Sequence, residues 1–367
     1  MKHSPFHHAH RAAGAKLVDF AGWEMPIQYS GVVDEYQTVR AQAGLFDVSH
    51  MGRIGVAGPS AAAFLQRVTT NDISKLAIGR AHYSMVCNEQ GGIKDDVFVY
   101  AVAPDEFLVC VNASNREKIV SWMQDHVSPG EDCRVTDRSQ ELAQLALQGP
   151  SSKEILSALG AGGLADLKPR QLLRMNIKGD AVLITRTGYT GEVGYELYFP
   201  AVSAQGLWDH LMKIGESHGL KPAGLGARDL LRLEMAYLLY GNDIDEETTP
   251  LEAGAEWVVQ LKKEGFIGQA ALVRRQRDGL PRRLVAFELL EKAVPRHGCS
   301  ILGTEAEGKA IGMVTSGNFS PLLKKGIGLG YVPPIFSAPG TTLHIDIRGK
   351  VIPAAVVKPP FYQRPKS

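Results

Sequence analysis

Asp96 closes the run Gly91-Gly-Ile-Lys-Asp-Asp96 and opens the alternating stretch Val97-Phe-Val-Tyr100, so two adjacent carboxylates sit where a glycine turn enters a strand. Successive strand side chains face opposite sides, and only one of the pair can look into a given cleft. A carboxylate placed there can hold or deprotonate an amine nucleophile, while its neighbour points away and caps the turn. A solvated Asp-Asp turn is the plainer alternative. The segment Gly188-Tyr-Thr-Gly-Glu-Val-Gly-Tyr-Glu196 sets a glycine at every third position and fills the gaps with tyrosines and carboxylates. Its glycines permit positive φ and close approach to a bound molecule, and Tyr189, Tyr195, Glu192 and Glu196 supply flat faces and acceptors for a donor-rich heterocycle. Taken alone, the segment favours a tight hairpin between Ala181–Thr185 and Tyr195–Phe199. In Gly224-Leu-Gly-Ala-Arg-Asp229 a flexible backbone enters a helix, whose free N–H groups and dipole favour anions. Arg228 either adds a positive fork there or makes a surface ion pair, and the residues alone do not choose.

Other constellations carry less. Asp47-Val-Ser-His50 has residue types of a hydrolase triad, but no G-x-S-x-G elbow accompanies it, which makes His50 structural or supporting. Gly303 to Ala310 mimics a phosphate loop, yet Ala310 stands where a hydroxyl should bind magnesium, Glu305 and Glu307 would repel phosphate, and the flanks read as a hairpin. His3, His7, His8 and His10 read as a solvated terminal arm, because no acidic or cysteine ligand joins them at fixed spacing.

These residues need a framework of hairpins. The spacing predicts helices over 60–68, 115–126, 152–159, 204–216 and 227–239, and strands over 80–86, 96–100, 106–111, 181–185 and 195–199. Strands arriving in hairpins, without regular β-helix-β alternation, indicate an α+β class. After Gln276-Arg-Asp-Gly-Leu-Pro281 the texture changes to short extended segments over 283–289, 310–315, 326–331, 342–347 and 351–357, punctuated by Gly and Pro. That pattern predicts a C-terminal β-barrel or jelly-roll-like module.

At 367 residues the chain exceeds one ordinary core, so two or three domains are expected. Forty basic against thirty-nine acidic residues argue against a nucleic-acid or anionic-membrane footprint. Cys87, Cys110, Cys133 and Cys299 form no C-x-x-C pair, which fits a reducing compartment. No apolar run reaches membrane-span length and the N-terminus has no apolar signal core, so a cytoplasmic location is expected.

Taken together and in order, Val18-Asp-Phe-Ala-Gly-Trp-Glu-Met-Pro26, Gly44-Leu-Phe-Asp-Val-Ser-His-Met51, the runs ending at Asp96, Glu196 and Asp229, Tyr237-Leu-Leu-Tyr-Gly241, Phe266-Ile-Gly268 and Thr315-Ser-Gly-Asn-Phe-Ser-Pro321 span most of the chain. Their order and spacing closely resemble the aminomethyltransferase, or T-protein, family of the glycine cleavage system, from about Ser4 to Phe361. The resemblance implies a three-domain cloverleaf around a central folate channel. In it, 1–52 with 140–255 form a discontinuous folate-binding domain, 53–139 an α+β domain, and 256–367 a linker plus C-terminal barrel. It implies transfer of an aminomethyl group from the lipoyl arm of the H-protein to tetrahydrofolate, with release of ammonia, 5,10-methylenetetrahydrofolate and a dihydrolipoyl arm. Carried onto this sequence, Asp96 resembles the family's essential carboxylate beside the folate N5/N10 region. Glu196 resembles the residue that pairs with the pterin. Met51, Tyr83, Asn112, Tyr189 and Tyr237 resemble the pocket lining, Arg228 the folate-site arginine, and Arg364 the C-terminal arginine for the folate tail. No metal site is implied, and a monomer is expected.

The residues agree with this chemistry. A pterin edge offers a ring N–H beside an exocyclic amine, a donor pair that the Glu196 carboxylate could accept in bidentate fashion. Asp96 could position the folate, accept a proton or stabilise an iminium-like centre, and sequence does not choose among these. A folate-binding accessory protein of the same fold, of the iron–sulfur maintenance type, is the nearest alternative. Those relatives carry Lys-Gly-Cys-Tyr-x-Gly-Gln, whereas Lys263-Glu-Gly-Phe-Ile-Gly-Gln269 has no cysteine. The folate domain of a dimethylglycine- or sarcosine-oxidising enzyme would follow a flavin domain, and no G-x-G-x-x-G unit is present.

Overall fold

The computed structural model describes residues 1–160, 163–164, 167–303 and 309–364, so most of the phosphate-loop mimic lies outside the described residues. The chain divides into two compact units, 1–84 with 96–229 and 85–95 with 230–367.

The first unit is built on three sheets. In the smallest, Lys2–His3 pairs in parallel with Trp23–Gln28, which pairs antiparallel with Lys16–Phe20. A six-stranded sheet runs in the order Leu172–Ile177, Asp180–Thr185, Gly194–Pro200, Leu142–Gln148, Ala43–Asp47 and Leu220–Pro222. A five-stranded sheet runs in the order Arg80–Cys87, Ile93–Ala103, Glu106–Val111, Gly52–Ala57 and Arg134–Asp137. Mixed sheets with helices beside them meet the α+β expectation. The central strand Leu142–Gln148 is buried along nearly its whole length because both its edges are paired and its faces are covered. Phe6, Leu45, Leu145, Leu197, Phe199, Trp208 and Leu211 join in one fully or nearly fully buried cluster. Helix Ala204–Gly215 reaches it through Leu207, Trp208 and Leu211, residues spaced to share one helical face.

The N-terminus departs from the expected solvated arm. His7–Ala12 is a helix, Phe6 and Ala9 are in the core, and His10 is fully buried. Phe6 supplies the reason, since its ring lies 5.5 Å from Trp208 and 6.3 Å from Phe199 and draws the segment inward. His10 is then satisfied from both sides, its Nε2 hydrogen-bonded to Asp47 Oδ2 at 2.9 Å and its Nδ1 to the Tyr29 hydroxyl at 2.9 Å.

The second unit holds a closed barrel of six strands in the order Arg283–Leu289, Lys325–Val332, Ala310–Ser320, Ser300–Leu302, Thr342–Ile347 and Lys350–Val357. Alternate residues such as Val285, Phe287, Leu289, Ile345, Ile352 and Ala354 point inward and fill it. The expected helix over 227–239 is Leu225–Glu234. It stops because Ala236 takes a φ of 54° and the buried Arg232 guanidinium donates to the Tyr237 carbonyl and to Asp243. Among the described residues, no helix is long and apolar enough to cross a membrane.

Candidate functional site

Strand Ile93–Ala103 alternates as its sequence suggests, with Val97 and Val99 buried and Asp96 and Phe98 half-buried on the other side. Asp96 is held by two donors. The Tyr83 hydroxyl donates to Oδ2 at 2.9 Å, and Asn112 Nδ2 donates to Oδ1 at 2.7 Å. Tyr83 and Asn112, expected as pocket lining, therefore orient the carboxylate. Asp95 is fully buried and does not cap the turn; Asn88 Oδ1 does, accepting from the amides of Gln90 and Gly92.

An aromatic row connects this carboxylate to a second one. Tyr83 lies 5.6 Å from Phe98, Phe98 5.9 Å from Tyr100, and Tyr100 5.6 Å from Tyr198. Tyr100 donates to Glu196 Oε2 at 3.2 Å, Thr187 Oγ1 donates to the same oxygen at 2.9 Å, and the Tyr198 hydroxyl lies 3.2 Å from it. Burial, then the Glu196 charge, pushes the Tyr100 phenol well above its ordinary value, so it stays an O–H donor. Three hydroxyls thus surround Glu196 Oε2, and Oε1 has no hydrogen-bond partner among the described residues. Met51 packs beside Tyr100 and Tyr198, its carbonyl tied to the buried Arg53 guanidinium, which also donates to the carbonyls of Ser49 and Leu142.

The glycine-rich segment is a longer loop between Asp180–Thr185 and Gly194–Pro200, and only Gly191 takes a positive φ, at 82°. Gly188 and Gly194 are small for another reason. A Cβ on either would lie 2.0 Å or 2.3 Å from the Gln148 side-chain amide. That amide ties the loop down, since its Oε1 accepts from Thr190 Oγ1 at 2.9 Å and its Nε2 donates to the Thr187 carbonyl. Glu192 is a supporting residue, its buried side chain 2.8 Å from Arg40 Nη1, which also donates to the Thr190 carbonyl. Pinned at both ends, the loop presents Tyr189, and the Arg228 guanidinium lies 4.7 Å from its ring centre.

Arg228 makes no surface ion pair among the described residues. The start of its helix is occupied by Glu35, a fully buried carboxylate whose Oε2 accepts from Gly224 N at 2.8 Å and whose Oε1 accepts from Tyr29 N and Gly31 N. Arg228 Nη1 is buried and has no hydrogen-bond partner among the described residues. A guanidinium stacked on a tyrosine with an unspent donor fits an acceptor-bearing planar ligand. His50 is buried nearby, edge-on to Phe20 at 5.4 Å. Burial, with the positive charges of Arg228 and Arg53, lowers its pKa to about 3 against the opposing pull of Asp47, so it is neutral and structural.

Seven of the predicted residues (Met51, Tyr83, Asp96, Asn112, Tyr189, Glu196 and Arg228) belong to the first unit: Asp96 is bonded to Tyr83 and Asn112, Arg228 lies over Tyr189, Glu196 is held by the Tyr100–Tyr198 pair, and Met51 packs against the apolar cluster that contains that pair. Tyr237 and Arg364 belong to the second unit, where both are exposed. Sequence reasoning missed Tyr100, Thr187 and Tyr198. The signal was present in the period of two, which puts Tyr100 on the face of Asp96 and Phe98, and Tyr198 on the face of Glu196.

A family model described as GCVT N-terminal domain matches residues 6–263, and one described as glycine cleavage T-protein C-terminal barrel domain matches 282–363. The aminomethyltransferase of Halothermothrix orenii is 47% identical over 361 residues, covering 98% of this chain and 100% of that protein. That of Bacteroides fragilis is 46% identical over 363 residues, covering 98% and 99%. The crystal structure of glycine cleavage system aminomethyltransferase T from Bartonella henselae superposes with a TM-score of 0.92 at 36% identity, covering 99% of this chain and 98% of that one. With both family models and near-complete coverage by named enzymes in agreement, the chain belongs to the aminomethyltransferase, or T-protein, family of the glycine cleavage system.

Proposed function

We propose that this aminomethyltransferase moves the aminomethyl carbon from the lipoyl arm of an H-protein to tetrahydrofolate. The carbon–nitrogen bond to the departing ammonia and the carbon–sulfur bond to the lipoyl arm break. Bonds to folate N5 and N10 form as both nitrogens lose their N–H protons, one to the departing ammonia and one to the lipoyl sulfur, leaving 5,10-methylenetetrahydrofolate and a dihydrolipoyl arm. The observation that carries the assignment is the Asp96 carboxylate held by Tyr83 and Asn112 on a half-buried strand face. Fixed from both sides, it orients the attacking amine and stabilises positive charge on the carbon as ammonia departs, without reorganising during the step. Glu196 Oε1 takes a pterin N–H, Tyr189 supplies a stacking face, and the unspent Arg228 Nη1 takes a ligand acceptor.

The same reading includes the three-domain division. All six strands of the largest sheet fall within 1–52 and 140–255, the five-stranded sheet lies almost wholly within 53–139, and the barrel lies within 256–367, which supports it. Four free cysteines support a reducing, cytoplasmic setting. The test is to mix purified protein with tetrahydrofolate and aminomethyl-loaded H-protein. Ammonia and methylene-folate in equal amounts are expected. Folate binding with neither product would assign the chain to the accessory class instead.

A further inference from the structure

The N-terminal helix and strands bring His3, His7 and Glu24 together, three side chains of ligand type that sequence spacing alone does not join. Their donor atoms all lie within 4.8 Å of one another. His3 Nε2 lies 3.3 Å and His7 Nδ1 3.4 Å from Glu24 Oε2. Two nitrogens and a carboxylate oxygen bound to zinc at about 2.0–2.1 Å in tetrahedral geometry stand about 3.3 Å apart, the spacing each histidine nitrogen keeps from Glu24 Oε2. His7 Nδ1 is buried and has no hydrogen-bond partner among the described residues, although the carboxylate is beside it. Its lone pair is spent on nothing else.

We propose that His3, His7 and Glu24 bind one divalent transition-metal cation of the zinc class, with solvent completing the coordination. The ligands come from three elements. His3 lies on strand Lys2–His3, directly across from Glu24 on Trp23–Gln28, and His7 opens helix His7–Ala12. A shared ion would clip a two-residue strand, short enough to fray, to the sheet and helix it meets. One adjustment accompanies binding. The two imidazoles stack at 4.0 Å and 7° between planes, and in-plane lone pairs from parallel rings do not meet at one point. His3, whose side chain is 55% exposed, turns to aim its nitrogen, while His7 and Glu24 stay in place. The site is structural and asks nothing of the transfer chemistry.

The test is titration of the full-length, chelator-treated protein with zinc by calorimetry, and with cobalt followed by its visible absorption. The expected result is one ion per chain, a tetrahedral cobalt spectrum, and slower amide exchange over residues 2–13 when zinc is bound. His7→Ala and Glu24→Gln should each weaken binding at least tenfold, and His8→Ala should leave it unchanged. Binding that survives Glu24→Gln, or is lost with His8→Ala, would identify loose chelation by exposed histidines and overturn the proposal. So would the absence of binding in the unaltered chain. Circular dichroism of each variant separates lost ligation from lost folding.

Discussion

Asp96 and Glu196 are both half-buried carboxylates in the first unit, but their partners differ in number and consequence. Asp96 accepts from Tyr83 at Oδ2 and from Asn112 at Oδ1, so each oxygen has a donor. Tyr83→Phe should therefore lower kcat by about tenfold, with little change in thermal stability, as steady-state kinetics beside a melting curve will show. Glu196 and Glu192 differ more sharply. Removing Glu196 deletes the ligand-facing Oε1, so Glu196→Ala should raise the Kd for tetrahydrofolate at least tenfold. Glu192→Ala instead strands the buried Arg40 charge and should cost about 3–5 kcal/mol in denaturant unfolding. Equal effects of the two on folate affinity would undo the distinction. The resemblance ranked Glu196 above Glu192, but the residues alone did not show why, because the ion pair between Glu192 and Arg40 joins residues far apart in the chain.

At the scale of elements, the loop over 186–193 works because Gln148 fills the space that two glycines leave. Gly188→Ala would put a methyl group into that amide, displacing the loop that presents Tyr189 and costing about 1–3 kcal/mol as overpacking. Folate affinity and stability should fall together, and an unaltered melting temperature would contradict the packing account. The hairpins, most helices and the barrel strands were legible because their apolar periods are local. The turn chemistry was not. A glycine reserved for positive φ and a glycine reserved for a neighbour look alike in sequence, and here only Gly191 is of the first kind. The N-terminal helix was hidden for a related reason: its histidines read as solvated until Phe6 anchors them and Asp47 and Tyr29 satisfy His10.

At the scale of the whole molecule, buried titratable groups set the response to acid. His50 has a folded pKa of about 3 against an ordinary value near 6.5, so below about 6.5 the unfolded chain binds a proton that the folded chain refuses. Burial raises the Asp47 carboxyl, but the hydrogen bond and charge of His10 more than offset it and hold it below the usual range, so its contribution is lost as pH falls through that folded value. His50 makes stability fall as pH drops from about 6.5 toward about 3, and Asp47 adds to the fall only below its ordinary value of 3.8. Denaturant unfolding between pH 7 and pH 4 should show the slope, and His50→Gln should flatten it; an unchanged slope would refute a neutral His50. The family was legible in sequence because its motifs span the chain in order, whereas the period of two gave only the faces of Tyr100 and Tyr198 and not their meeting, since the hydroxyl cradle around Glu196 gathers Tyr100, Thr187 and Tyr198 from two strands and a loop. The central claim is that the fixed Asp96 carboxylate acts in the transfer step. Single-turnover transfer by Asp96→Asn, measured beside its tetrahydrofolate Kd, tests it most directly. The account predicts a rate about 10²-fold slower with affinity changed by no more than about threefold, and a near-unaltered rate would contradict it.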